Sequence, residues 1–254
     1  MAEDHHNLRY SAIFVLGPSS SGKTTLCDAL ARRLQLQPSQ YIKEVARTVM
    51  KTHGFTRHDT DTYEMQHAIM TAQLVAEKRA AAAIAAGEGG NSTKTPLILS
   101  DRSAIDPIVY ARTSNEPGAR DRSQRLLDDP ALQEMLPAYR SSLFVVLKPV
   151  AEWFEDDGVR SLEDPWKYNE TLFRTLEELG IPYVTIGEET KDISARVEFV
   201  LSCIGFRLKS SKSVRFTSVA GLHDAEYLEQ ETGCCPPRPC SARLYARVYI
   251  SGRG

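Results

Sequence analysis

Residues 17–24 read Gly-Pro-Ser-Ser-Ser-Gly-Lys-Thr, directly after the apolar run 11–16 and directly before leucines at 26, 30 and 34. The spacing G-x-x-x-x-G-K-S/T is that of a phosphate-binding loop set between a buried strand and a helix. Its glycines let the backbone turn sharply, so that successive N–H groups converge on an anion. Lys23 supplies a point charge for β and γ phosphates, and the Thr24 hydroxyl is a ligand for Mg²⁺. The positive end of the following helix adds to the attraction. Gly17, Pro18, Ser19, Ser20, Ser21, Gly22, Lys23, Thr24 and Thr25 are therefore assigned to nucleotide binding, with ATP and Mg²⁺ as the expected ligands.

Beyond the loop, short apolar runs alternate with amphipathic segments. Strands are expected at 41–42, 96–100, 143–147 and 182–186. Helices are expected near 44–52, from about Asp61, over 165–179, and along a last segment carrying Ile193, Val197, Val200 and Ile204. Asp61 and Glu64 have capping-box spacing at the start of the long helix. Its buried stripe is expected to be Ile69, Ala72, Ala76, Ala80 and Ala83. Every strand-to-strand connection is long enough for a crossover. The expected fold class is α/β: a P-loop NTPase three-layer α/β/α sandwich on a mostly parallel five-stranded sheet. Its ligand should lie beyond the C-terminal ends of the strands.

The domain is drawn at 9–207, with a mobile loop insertion at 87–95. Residues 208–254 are rich in Lys, Arg, Ser, Pro and Cys, and are expected to form an irregular tail, disordered or loosely attached. Within it, 214–219 and 244–250 could pair as strands. The five cysteines, three of them clustered at 234, 235 and 240, lack disulfide-framework or zinc-site spacing. They read as reduced thiols of a cytoplasmic protein. A formal charge of −2 gives no global basic field, so nucleic acid is not expected as a partner. No run approaches the length of a transmembrane segment.

The run 97–100 ends on Asp101, followed by Arg102. This Walker-B-like placement brings an acid and a cation to one strand end. Asp101 could orient Mg²⁺ or accept the proton of a substrate hydroxyl, and Arg102 could bind a phosphate or the substrate. No N-K-x-D motif for reading guanine occurs, nor any L-S-G-G-Q run. A small-molecule kinase or a related nucleotide-binding regulator remains.

The strings GPSSSGKTTL (17–26), KEVARTVM (43–50), SDRSAIDPIVYA (100–111) and EDDGVR (155–160) resemble the NadR-like P-loop family. That family includes nicotinamide riboside kinase domains and eukaryotic NadR/TTD-type AAA domain proteins. The likeness spans roughly residues 10–205. It implies that Lys23 and Thr24 serve the nucleotide and the metal, and that Asp101 and Arg102 form the catalytic centre. Glu44 and Arg47 would line the pocket of a nucleoside-like acceptor. Gln66 would read an amide edge there, or else be an exposed helix glutamine. Arg160 would be a lid arginine over the transferring phosphate, or a solvated charge. After Arg160 the chain departs from lids with further arginines, leaving Lys167 as the nearby substitute. Some eukaryotic relatives are linked to trafficking and phosphoinositide binding, so the resemblance also admits a regulatory module without kinase turnover.

Overall fold

The central strands are apolar at consecutive positions because helices cover both of their faces. The computed structural model describes residues 11–87, 96–153 and 164–210. The strands β1 (Ser11–Leu16), β2 (Tyr41–Ile42), β3 (Leu97–Asp101), β4 (Leu143–Leu147) and β5 (Tyr183–Ile186) form one parallel sheet in the order β2-β3-β1-β4-β5. In chain order the helices are α1 (Lys23–Leu34), α2 (Ala46–His53), α3 (Tyr63–Ala85), α4 (Asp106–Thr113), α5 (Ala119–Leu127), α6 (Pro130–Ser141), α7 (Pro165–Glu178) and α8 (Ile193–Ser210).

Strand side chains alternate between faces, and the core divides accordingly. Ile13 and Val15 of β1, Leu97 and Leu99 of β3, and Val145 of β4 pack with Leu26, Cys27 and Leu30 of α1 and with Val197 and Val200 of α8. Phe14 and Leu16, Ile98, Phe144 and Val146 pack on the opposite side, against α3, α4, α6 and α7. The expected three-layer α/β/α sandwich is the observed fold. None of the described helices is long and apolar enough to cross a membrane.

The long helix departs from expectation in two respects. It starts at Tyr63, and its N-cap is Thr62, whose side chain accepts from the Met65 amide at 3.3 Å. The buried line is also rotated from the alanine stripe. Ile69 and Ala80 are buried as expected, but Ala72, Ala76 and Ala83 are only half-buried, and the line continues through Gln66, Gln73, Glu77 and Ile84. Polar residues occupy the inner face, and an apolar periodicity passes over them. Helices α4, α5 and α6 fill the β3–β4 crossover. α5 is polar from Arg120 to Arg125 and ends on the buried Leu126 and Leu127, and α6 is announced by Asp129 before Pro130, the Asp129 carboxylate accepting from the Ala131 and Leu132 amides. α8 continues to Ser210, past the boundary drawn at 207. Most of the loop insertion, the tail beyond 210 with its strand-forming runs, and the three clustered cysteines lie outside the described residues.

Two buried polar residues of α3, Gln73 and Glu77, belong to one network behind β3. The Tyr139 hydroxyl donates to Glu77 Oε2 at 2.7 Å, and the Gln73 amide donates to Glu77 Oε1 at 2.8 Å and to Ser100 Oγ at 2.9 Å. Tyr139 in turn accepts from the Ala104 amide at 3.3 Å. α3 and α6 are thereby fastened to the segment on either side of Asp101. Burial pushes the Glu77 carboxyl up to about 7, against the bonds from Tyr139, Gln73 and Ala104 that lower it. A carboxyl raised on folding stabilises the fold fully below its unfolded value and loses that contribution as pH rises through its folded value. Between pH 4.5 and 7 wild type should therefore lose roughly 3 kcal/mol of this contribution. Denaturant melts at several pH values should show that slope in wild type and its absence in Glu77→Gln.

Candidate active site

The register of β1 against β3 builds the site. Val15 pairs with Asp101, two residues before the loop begins, and the Arg102 amide donates to the Val15 carbonyl at 3.0 Å. The phosphate loop and the acid–cation pair therefore emerge side by side. Within the loop, Gly17 has φ 144°, and a Cβ there would lie 2.5 Å from the Leu147 carbonyl oxygen, so only glycine fits. Ser20 and Gly22 also take positive φ, 57° and 86°, as expected where the backbone curls into a nest of amides. Lys23 is 6% exposed, and its ammonium donates to the Pro18 carbonyl at 2.5 Å, drawing the lysine back across the loop.

Strand parity places Asp101 on the α1 face with Leu97 and Leu99. There the Thr24 hydroxyl donates to Asp101 Oδ2 at 2.6 Å. The second oxygen, Oδ1, is buried with no hydrogen-bond partner. A hydroxyl and a carboxylate with one uncommitted oxygen, beside a phosphate loop, fit Mg²⁺. That ion takes few protein ligands and completes its shell with phosphate oxygens and water. No group of three or more His, Cys, Asp or Glu side chains suited to hold a metal occurs among the described residues. Burial raises the Asp101 carboxyl above its ordinary range, while Arg102, Thr24 and Lys23 pull it back.

Arg102 is 6% exposed and holds φ 85°, a conformation that side-chain-bearing residues seldom adopt. Its guanidinium forks: Nε donates to Glu44 Oε1 at 3.1 Å, and Nη1 donates to Asp106 Oδ1 at 2.9 Å. Asp106 Oδ2 accepts from the Ser103 amide at 3.2 Å, and the Tyr168 hydroxyl donates to Asp106 Oδ1. Burial opposes the Arg102 charge, but Tyr110, Asp106, Glu44 and Tyr168 together raise its pKa well above the usual value. It is a fixed cation.

Ser19, Ser20, Gly22, Lys23, Thr24, Thr25, Glu44, Arg47 and Arg102 all line one cleft of about 320 Å³. Arg47 pairs with Glu44 at 3.3 Å from a largely exposed position. Asp101 sits just beneath, reached through Thr24, and Ser21 is fully buried in the loop wall. Gln66 lies in a smaller adjoining cavity of about 20 Å³ that shares Arg102 with the cleft and is also lined by Met65, Ile69, Asp106 and Tyr110. At 3% exposure Gln66 is not a solvated helix residue, and its amide nitrogen donates to the Thr60 carbonyl at 2.5 Å. Arg160 lies outside the described residues. Lys167 is turned elsewhere, donating to the Thr113 carbonyl and to Asn115 Oδ1, both at 2.8 Å.

Sequence reasoning passed over Asp106, Tyr168, Gln73, Glu77 and Tyr139. Asp106 stood inside the string 100–111 as its second acid. Gln73 and Glu77 were detectable as an i, i+4 polar pair interrupting an apolar helix face. Nothing in the sequence links Tyr139 or Tyr168 to the site.

A family described as an AAA domain matches residues 12–196. Among solved structures, the fold resembles the NadR protein in complex with NR, at TM-score 0.57 and 22% identity over 84% of this chain and 54% of that one. It also resembles NadR in complex with NAD and AMP-PNP, at TM-score 0.56 and 19% identity over 84% and 52%. A third likeness is deoxyadenosine kinase from M. mycoides with dCMP and dCDP bound, at TM-score 0.53 and 16% identity over 77% and 99%. The chain thus spans about half the length of the NadR chains. No curated protein sequence matches it.

Asp101→Asn should keep an acceptor for Thr24 while removing the carboxylate charge. Titration calorimetry should show Mg-ATP affinity falling at least about tenfold and magnesium-free ATP affinity changing little.

Proposed function

The chain belongs to the AAA-domain family, and from that premise we propose that its cleft transfers the γ-phosphoryl group of ATP to a hydroxyl of a small nucleoside-like acceptor. One observation carries the reading: the phosphate loop and a forked carboxylate–guanidinium group open into the same cleft, with a second cavity alongside. A binding loop alone would need no buried arginine held in a strained backbone by two carboxylates.

In this reading the acceptor hydroxyl oxygen attacks the γ-phosphorus, and the bond to the β–γ bridging oxygen breaks to release ADP. The hydroxyl proton passes to the Glu44 carboxylate, which lines the cleft and is held by Arg102. Lys23 and Arg102 stabilise the charge spread over the phosphoryl oxygens. Thr24 and Asp101 would hold Mg²⁺, whose charge offsets that of the β and γ oxygens. The cleft itself receives the acceptor beside Glu44 and Arg47, and the smaller cavity, with room for about one water, sets Gln66 next to it as a polar reader. Arg47 supports Glu44 at the mouth, and Arg160 belongs to the reading as a lid cation. The setting is the cytoplasm, with no nucleic acid as partner.

The engaged Lys167 favours a second reading, a nucleotide-binding regulatory module, because it withdraws the cation nearest the lid segment. A thermal-shift series with ATP, GTP and phosphoinositide headgroups distinguishes the two, since a ligand that binds only the folded state raises its apparent stability.

With γ-labelled Mg-ATP and a panel of nucleosides, the purified protein should label at least one acceptor. Glu44→Gln should lose that activity by about 100-fold or more. Absence of transfer across the panel, with ATP still bound, would move the balance to the regulatory module.

A further inference from the structure

Arg196, in the first turns of α8, meets the phosphate loop without being one of the residues that line the cleft. It is 2% exposed. Nη1 donates to the Ser21 carbonyl at 3.0 Å, Nε donates to the Thr190 carbonyl at 2.5 Å, and the guanidinium carbon stands 4.7 Å from the centre of the Trp153 ring. A Cβ on Gly22 would lie 3.1 Å from Nη1 and 3.2 Å from the Trp153 ring, so this pair presses directly on the loop. Nη2 is buried with no hydrogen-bond partner.

The chemistry here is unbalanced. No carboxylate among the described residues forms an ion pair with Arg196; Glu189 acts on it only through space. Burial pulls the guanidinium below the usual arginine value, and Glu189 works the other way. An arginine stays charged at neutral pH. A buried cation bonded only to neutral carbonyls is costly unless an anion comes near it. The anion that the neighbouring loop is shaped to take is a polyphosphate. The Ser21–Gly22 peptide joins the two sites, because its carbonyl accepts from Arg196 while its N–H belongs to the phosphate-binding turn. A donor on the carbonyl polarises that peptide and strengthens its N–H as a donor.

We propose that Arg196 is a positioning residue for polyphosphate: it acts through the Ser21–Gly22 amide and lends the cradle a buried positive charge without touching the nucleotide. The proposal rests on reading the cleft as a polyphosphate site. It assigns Trp153 as the ring face that seats the positive charge of residue 196 against the loop, a cation–π contact that a lysine ammonium can also make.

Affinity for Mg-ATP and for inorganic tripolyphosphate is measured in wild type, Arg196→Lys and Arg196→Met. The methionine variant should lose about tenfold for both ligands, and the lysine variant should stay within about threefold of wild type. Equal losses in the two variants would make Arg196 a packing element and overturn the proposal. A loss for ATP but not for tripolyphosphate would place the Arg196–Trp153 pair at the base and also overturn it. Should the methionine variant fail to fold, Trp166→Phe leaves Trp153 as the sole tryptophan reporter. Tripolyphosphate should then shift its fluorescence as ATP does, and a response to ATP alone would contradict the proposal. Wild type that binds ATP but transfers no phosphate would remove the kinase reading and leave this one standing. Wild type that binds neither ligand would remove both.

Discussion

The hydrogen bond from Thr24 to Asp101 joins residues 77 positions apart, and the rest of the site is arranged around it. It exists because β1 and β3 are adjacent parallel strands in a register that sets Val15 beside Asp101. A one-residue slip would turn Asp101 toward α3 and Ser100 toward α1. The loop would keep its turn, but the Asp101 carboxylate would leave Thr24 and the Arg102 fork would leave the cleft. The apolar residues that fix this register, Ile13, Val15, Leu97 and Leu99 on one face and Phe14 and Ile98 on the other, therefore set the chemistry as well as the core.

Around that bond the buried polar groups are divided by strand parity. On the α1 face Asp101 keeps one oxygen uncommitted. On the α3 face Ser100 is bonded to Gln73, which leads to Glu77 and Tyr139 and back to the Ala104 amide. The acid–arginine turn is thus held from both flanks by polar contacts that require specific partners. Such contacts have one good geometry, whereas apolar packing tolerates several. The left-handed backbone at Arg102 persists because Glu44, Asp106 and the Val15 carbonyl all hold it.

The sheet and the cradle were legible from sequence because each has a local signature. The apolar runs at 11–16, 97–100 and 143–147 are bounded by sharp changes of composition, and Gly17, Gly22 and Lys23 sit at fixed offsets from the first of them. Asp101 and Arg102 were legible because they end a strand. Less was visible where the determinant is a tertiary contact. The inner face of α3 carries Gln66, Gln73 and Glu77, so its alanines gave a stripe rotated from the true one. Lys167 read as a lid cation by position, yet Thr113 and Asn115, more than fifty residues away, hold it elsewhere. Arg196 has no motif at all; its role depends on α8 returning to the loop 175 residues after Ser21.

The central claim is that the amides between β1 and α1, with Lys23, form a polyphosphate nest. Isothermal titration of wild type and Lys23→Ala with Mg-ATP and Mg-GTP addresses it directly. Saturable binding by wild type and its loss in the variant are the outcomes predicted here. Unchanged affinity in the variant would contradict the claim, because the lysine that the loop folds back upon would then contribute nothing to the anion.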